Sequence, residues 1–141
     1  MNLKLLSWNV RGLNNPQKRV IAKNLLAEWK CDVVCLQETK LDSINSTGVM
    51  NLWGSRFVVW VALDANHTTG GVLSIWDRRM FEKVDCVVGR FSIFVYIECF
   101  HCLLFQVMLF LASSFQNGYP SKLLMRSNSI SIFDVLLHWV H

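Results

Sequence analysis

Several features that place a sequence quickly are missing from this one. The opening Met1-Asn2-Leu3-Lys4 carries too short an apolar run for a secretory signal. Five cysteines is an odd count, so a closed set of internal bridges is not expected; free thiols in a reducing, intracellular setting are. In that setting Asn45-Ser46-Thr47 and Asn66-His67-Thr68 match the glycosylation pattern but read as loop chemistry. There is no internal repeat or low-complexity stretch, which excludes a repeat array. There is also no dense basic patch: the formal charge is +4, and Lys18-Arg19 and Arg78-Arg79 are the only adjacent cationic pairs. Such a charge permits a polyanionic partner without requiring one, and solvated cations are the expectation. At 141 residues the chain is one domain or a piece of one, long enough to bury a core.

What is present is organised around two stretches. Lys4-Leu5-Leu6-Ser7-Trp8-Asn9-Val10-Arg11-Gly12-Leu13 and Asp32-Val33-Val34-Cys35-Leu36-Gln37-Glu38-Thr39-Lys40 are short apolar runs that end at polar groups, Asn9 in one and Gln37-Glu38 in the other. Buried strands read this way, and their ends are where side chains leave the core for a site. One helix length separates the two runs, which suits parallel neighbours with both polar ends along one sheet edge. An amide beside a carboxylate at such an edge suits a hard divalent cation and a phosphate oxygen.

Between the two runs, Asn15 before Pro16 starts a helix. Ile21, Leu25 and Trp29, with Ala22 and Leu26 beside them, form its apolar stripe, and Lys18, Arg19, Lys23 and Glu28 take the other side. After Glu38, the polar residues 42–48 lead to a short helical turn over 49–53. Residues 57–63 are β-branched and aromatic, hence strand, and 72–76 return antiparallel after a turn over 64–71. Further strands are expected at 84–88 and 91–97. From Phe91 to Ala112 the chain is almost continuously apolar. That run has three readings: a membrane span, two buried strands or a helix, or a segment read in the wrong frame or through an intron. An amphipathic helix is expected over 132–140.

Ser7-Trp8-Asn9-Val10-Arg11-Gly12 and Leu36-Gln37-Glu38-Thr39-Lys40 resemble the opening motifs of the endonuclease/exonuclease/phosphatase family. Their wording is similar to the apurinic-endonuclease-like domain that opens plant LINE-type (non-LTR) retrotransposon polyproteins. The similarity continues through residues 52–57 and 70–77 and fades near 89–92. The resemblance implies an α/β fold, the N-terminal half of a four-layer α/β sandwich with mixed sheets and helices outside. The chain is expected to be truncated: residues 1–92 form the partial domain and 93–141 an unmatched apolar tail. An inner sheet face without its partner would forgo roughly 25 cal/mol per Å² of burial against a usual stability of about 5–15 kcal/mol, unless the tail substitutes.

The resemblance also implies chemistry. Glu38 would hold a catalytic Mg2+ or Mn2+, and Asn9 would hydrogen-bond the scissile phosphate or support the metal shell. Gln37 would orient Glu38. DNA is the implied partner and the nucleus the implied place of work. No small-molecule cofactor is implied, and membrane attachment through 91–112 is a lesser alternative. The family's second-half motifs, a Gly-Asp-x-Asn strand end and a Ser-Asp-His, do not occur in this sequence. Asp64-Ala65-Asn66 imitates the Asp-x-Asn spacing but lies in the turn ahead of Gly70-Gly71, and His101, His138 and His141 have no aspartate just before them. Loss of acid–base assistance costs about 10²–10⁴ in rate, and loss of charge stabilisation about 10²–10³ more. The expectation is therefore a DNA-endonuclease fragment without turnover, or an inert or weakly nucleic-acid-binding module. Cys99-Phe100-His101-Cys102 with Cys31 and Cys35 could imitate a zinc site, but buried thiols are the better reading.

Overall fold

The computed structural model describes residues 3–65, 70–88, 92–99, 106–112, 124–126 and 133–139. The strand–helix–strand unit is present as expected. β1 (Leu3–Asn9) is followed by α1 (Pro16–Trp29) and β2 (Val33–Gln37). β1 and β2 lie parallel, with Leu5 opposite Val33 and Asn9 opposite Gln37. The intervening helix starts where the sequence puts its cap: the Asn15 side chain accepts from the Gln17 N–H at 2.9 Å and Pro16 takes the first turn. It stops at Lys30, which turns left-handed at φ 50°.

α2 (Ser46–Trp53) is longer than the expected turn, because Asn45 caps it by accepting from the Gly48 N–H at 2.8 Å. β3 (Val58–Leu63) and β4 (Val72–Asp77) form the expected antiparallel pair, and β4 also pairs antiparallel with β2. Among the described residues a fifth strand, β9 (Phe133–Trp139), joins this mixed sheet, in the order β3-β4-β2-β1-β9. The helix expected over 132–140 is thus corrected to a strand. An apolar stretch of that length does not choose between the two periods by itself; here the free edge of β1 accepts it in parallel from Leu3 opposite Phe133 to Asn9 opposite Trp139.

A second sheet, wholly antiparallel, runs β5-β6-β7-β8, with β5 (Phe81–Val88), β6 (Ser92–Cys99), β7 (Gln106–Ala112) and β8 (Leu124–Arg126). The long apolar run therefore supplies two neighbouring strands, β6 and β7. No helix among the described residues is long and apolar enough to cross a membrane.

Strand alternation divides the core in two. Leu5, Val33, Val72 and Trp76 face the second sheet and pack with Phe81, Ile93, Val95 and Ile97. Leu6, Trp8, Val34, Leu36, Leu73 and Ile75 face the helices and pack with Leu13, Ala22, Leu26, Val49 and Leu52. The order of layers is helices, mixed sheet, antiparallel sheet. Ile93, Val95 and Ile97 of the apolar segment cover part of the inner face that would otherwise stand bare, each fully buried side chain contributing about 1.5–3 kcal/mol. One residue of the expected helical stripe is misplaced: Ile21 is 58% exposed beside Val20, while Ala22 and Leu26 are the buried pair. The stripe is rotated by one position because α1 seats its small Ala22 against the sheet.

Candidate functional site

The mixed sheet carries a gradient along its inner face. Leu5 and Val33 give way to Ser7 and Cys35, and these to Asn9 and Gln37, all buried. Ser74 of β4 lies opposite Cys35, with the thiol and hydroxyl 3.8 Å apart. Burial pushes the Cys35 thiol up to about 12, and the Ser74 contact only partly opposes that. Cys35 is a core thiol rather than a nucleophile or a metal ligand. Cys102 and His101 lie outside the described residues, so the imagined zinc partners do not enter the structure's account.

At the end of the gradient the strands leave the sheet together. Asn9 is opposite Gln37, and Glu38 is the next residue. The Gln37 amide does not float: its Nε2 donates to Ser7 Oγ at 2.6 Å across the strand pair. The Asn9 Oδ1 accepts the Arg11 N–H at 3.1 Å, a local turn that leaves its Nδ2 as the outward donor. Glu38 is half-buried, and among the described residues no side chain hydrogen-bonds or ion-pairs with its carboxylate.

The backbone here is strained and firmly tied. Arg11, Glu38 and Lys40 all take positive φ, at 52°, 52° and 56°, a conformation that costs non-glycine residues about 1–2 kcal/mol each. Five main-chain bonds hold it. Val10 N–H donates to Gln37 O at 3.0 Å, Gly12 N–H to Glu38 O at 2.7 Å and Leu13 N–H to Thr39 O at 2.7 Å. From the other side Thr39 N–H donates to Gly71 O at 3.2 Å and Lys40 N–H to Gly70 O at 2.9 Å. Left-handed Glu38 breaks the alternation that its strand would otherwise continue, and strain held this tightly is a mark of functional loops.

The structure also shows what sequence reasoning passes over. Gly70 and Gly71 read as a turn, but they are a dock for the Glu38 loop. Gly71 sits at φ 92°, and a Cβ there would run into Thr39 Oγ1. Thr39 is fully buried, and among the described residues its hydroxyl has no hydrogen-bond partner. The adjacent glycines are the available signal. The loop that begins at Asp64 reaches the same sheet edge, with Ala65 N–H donating to Leu41 O at 2.8 Å; Asp64 itself is exposed and Asn66 lies outside the described residues. His138 stands in register with Trp8 at the end of β9, and His101 and His141 lie outside the described residues.

A hard ion that keeps most of its waters needs only one or two carboxylates from the protein. Glu38, with no side-chain partner among the described residues and one residue past the Asn9–Gln37 pair, fits that minimal demand. Among the described residues there is no group of three or more His, Cys, Asp or Glu that would form an all-protein cage.

Comparison with known proteins adds three findings. The profile of the Endonuclease/Exonuclease/phosphatase family matches residues 6–115, past the point near 92 where the motifs fade. An exodeoxyribonuclease of Bacillus subtilis (strain 168) is 44% identical over 39 residues, which are 28% of this chain and 16% of that protein. A crystal structure of D. rerio TDP2, humanized by 14 mutations, superposes with a TM-score of 0.51 at 16% identity, covering 78% of this chain and 51% of that one. The likeness to that structure is one of fold, and the chain spans about half its length.

Proposed function

Because the chain belongs to the endonuclease/exonuclease/phosphatase family, matched over residues 6–115, we propose that it carries the ion- and phosphate-binding part of a divalent-metal-dependent DNA endonuclease. The observation that carries this reading is the pairing of Asn9 with Gln37-Glu38 at one strained sheet edge. Residues 1–92 would hold the site, with Ile93, Val95 and Ile97 of the following segment packed behind the sheet that carries it. The wording of the motifs supports a LINE-type retroelement as the source, which makes target-DNA nicking the ancestral task and the nucleus its place.

Glu38, with Asn9 beside it, would hold Mg2+ or Mn2+, which when bound supplies positive charge against the phosphate oxygens. The other parts belong to the chain itself. Asn9 Nδ2 donates to a non-bridging phosphate oxygen, an amide being suited to this because it adds no negative charge next to a polyanion. Gln37, pinned by Ser7, fixes the strand end from which Glu38 emerges. Hydrolysis also needs a base to take the proton of the attacking water. The motifs that would supply one, Gly-Asp-x-Asn and Ser-Asp-His, are not in this sequence. The chain therefore binds ion and DNA with turnover reduced by at least about 10⁴-fold.

The test is plasmid nicking by the full chain with Mg2+, beside Glu38→Ala and a chelator control. A folded protein that binds DNA and does not nick is the expected result. Nicking that disappears with both Glu38→Ala and chelator keeps the family chemistry but overturns the proposed loss of turnover. Nicking that survives Glu38→Ala overturns the site.

A further inference from the structure

At the opposite end of the mixed sheet, a second charged surface is assembled from residues that the sequence keeps apart. Phe57 precedes β3, and its carbonyl accepts the Arg78 N–H at 2.9 Å, one step beyond the Val58–Asp77 pair. That pairing brings Arg56, Arg78 and Arg79 around one aromatic ring. Their guanidinium carbons lie 5.0, 5.3 and 4.1 Å from the Phe57 centroid. All three arginines are exposed, and the ring between them is half-buried.

Only one carboxylate among the described residues answers these three cations. Asp77 takes Arg79 in a two-pronged bond, Nε at 3.0 and 3.2 Å and Nη2 at 2.6 Å. It also accepts the Arg79 N–H at 2.8 Å, and Arg79 beside it holds its carboxyl below the ordinary value. Among the described residues Arg56 has no acidic partner, and Arg78 shares the single charge of Asp77 with Arg79, through space rather than by a close ion pair. Three guanidiniums against one carboxylate leave excess positive charge beside the ring, and an anion bridging Arg56 and Arg78 would relieve it. Stacking on an aromatic face fixes the plane of a guanidinium and leaves its N–H edges free, the arrangement in which arginine takes phosphate oxygens in pairs. A membrane fits less well, because the one large apolar group is roofed by the guanidiniums and has nothing to insert.

We propose that Arg56, Arg78 and Arg79, ordered on Phe57, form a second contact surface for the phosphodiester backbone of a nucleic acid, at the sheet end remote from Glu38. The partner class is taken from the proposed function, but hydrolysis is not required, so the two fail separately. The surface binds without base readout, and Asp77 tempers it by occupying one of the three forks.

The test measures binding of a short labelled DNA duplex to the full chain across a salt series. Arg56→Gln/Arg78→Gln is expected to reduce the magnitude of the slope of log K against log salt by about 0.9 for each phosphate that the protein no longer neutralises. Asp77→Asn, which frees Arg79, is expected to tighten binding at low salt. Glu38→Ala should leave the difference between wild type and the double variant intact, which separates this surface from the candidate nuclease site. An unchanged slope in the double variant overturns the proposal, as does unchanged binding on Asp77→Asn. Equal or greater loss of binding to phosphatidylserine vesicles than to DNA overturns the assignment to nucleic acid.

Discussion

The two ends of the mixed sheet solve different problems with the same strands. At one end Asn9, Gln37 and Glu38 come from the tips of parallel neighbours, and the backbone beyond them is left-handed at three non-glycine residues and tied by five main-chain bonds. At the other, Arg56, Arg78 and Arg79 are exposed side chains ordered by one ring and one carboxylate. Precision at the first end is built into the backbone and is costly to disturb. At the second it resides in side-chain stacking, which is weak for any single pair and sensitive to salt. The difference predicts a rigid site at one end and an adjustable surface at the other.

Substitutions can test that contrast, beginning with the one that links both ends. Trp76 is fully buried between the sheets, one residue before Asp77 and opposite Val33. Trp76→Ala is expected to cost about 3–5 kcal/mol, read as a fall in the urea midpoint, with both ends lost together. A folded variant that keeps either property would show that the ends are independent of their common core.

Gly71→Ala touches only the strained end. Positive φ costs alanine about 1–2 kcal/mol, and crowding against Thr39 adds about 1–3 kcal/mol. Thr39→Ala in the same chain should return the crowding part but not the conformational part, as a double-mutant cycle in denaturant would show. Salt-dependent DNA binding through the arginines should be unaffected; a parallel loss there would merge two regions that the fold holds apart.

The smallest effect concerns the exposed end. Arg79 lowers the Asp77 pKa below 3.8 in the folded chain. A lowered carboxylate pKa contributes stability that is present above the unfolded value and is lost as pH falls through the folded one. Asp77→Asn should therefore narrow the difference in melting temperature between neutral pH and pH below about 3.8, modestly, because surface pairs of this kind are screened. An acid limb identical to wild type would show that the pair carries no stability.

Legibility in the sequence follows the same division. The strained end can be read because its residues are neighbours in the chain: short apolar runs that stop at Asn9 and at Gln37-Glu38 announce two strand ends, and one helix length between them announces parallel pairing. The hairpin of β3 and β4 is equally plain from β-branched runs around a glycine turn. The arginine end is not legible, because Arg56 and Arg78 meet only through the register of that hairpin, and dispersed cations look solvated until a sheet gathers them. β9 reads wrongly as a helix because its apolar residues satisfy helix and strand alike until the edge of β1 supplies partners. Ile21 goes to the wrong side because a helical stripe fixes a face only to within a residue, and small Ala22 lets the helix settle closer to the sheet.

The pairing of β1 with β9 also acts in time. Leu3 and Asn9 find their partners at Phe133 and Trp139, so β1 cannot pair along that edge until a strand far along the chain has been made. Pairings this distant in sequence close late, because the loop between them must be ordered before their contacts contribute. Until then β1 presents an unpaired edge to every other nascent copy, and edges of that kind template aggregation. The yield of folded protein should then depend on chain concentration during synthesis more steeply than on the stability finally reached.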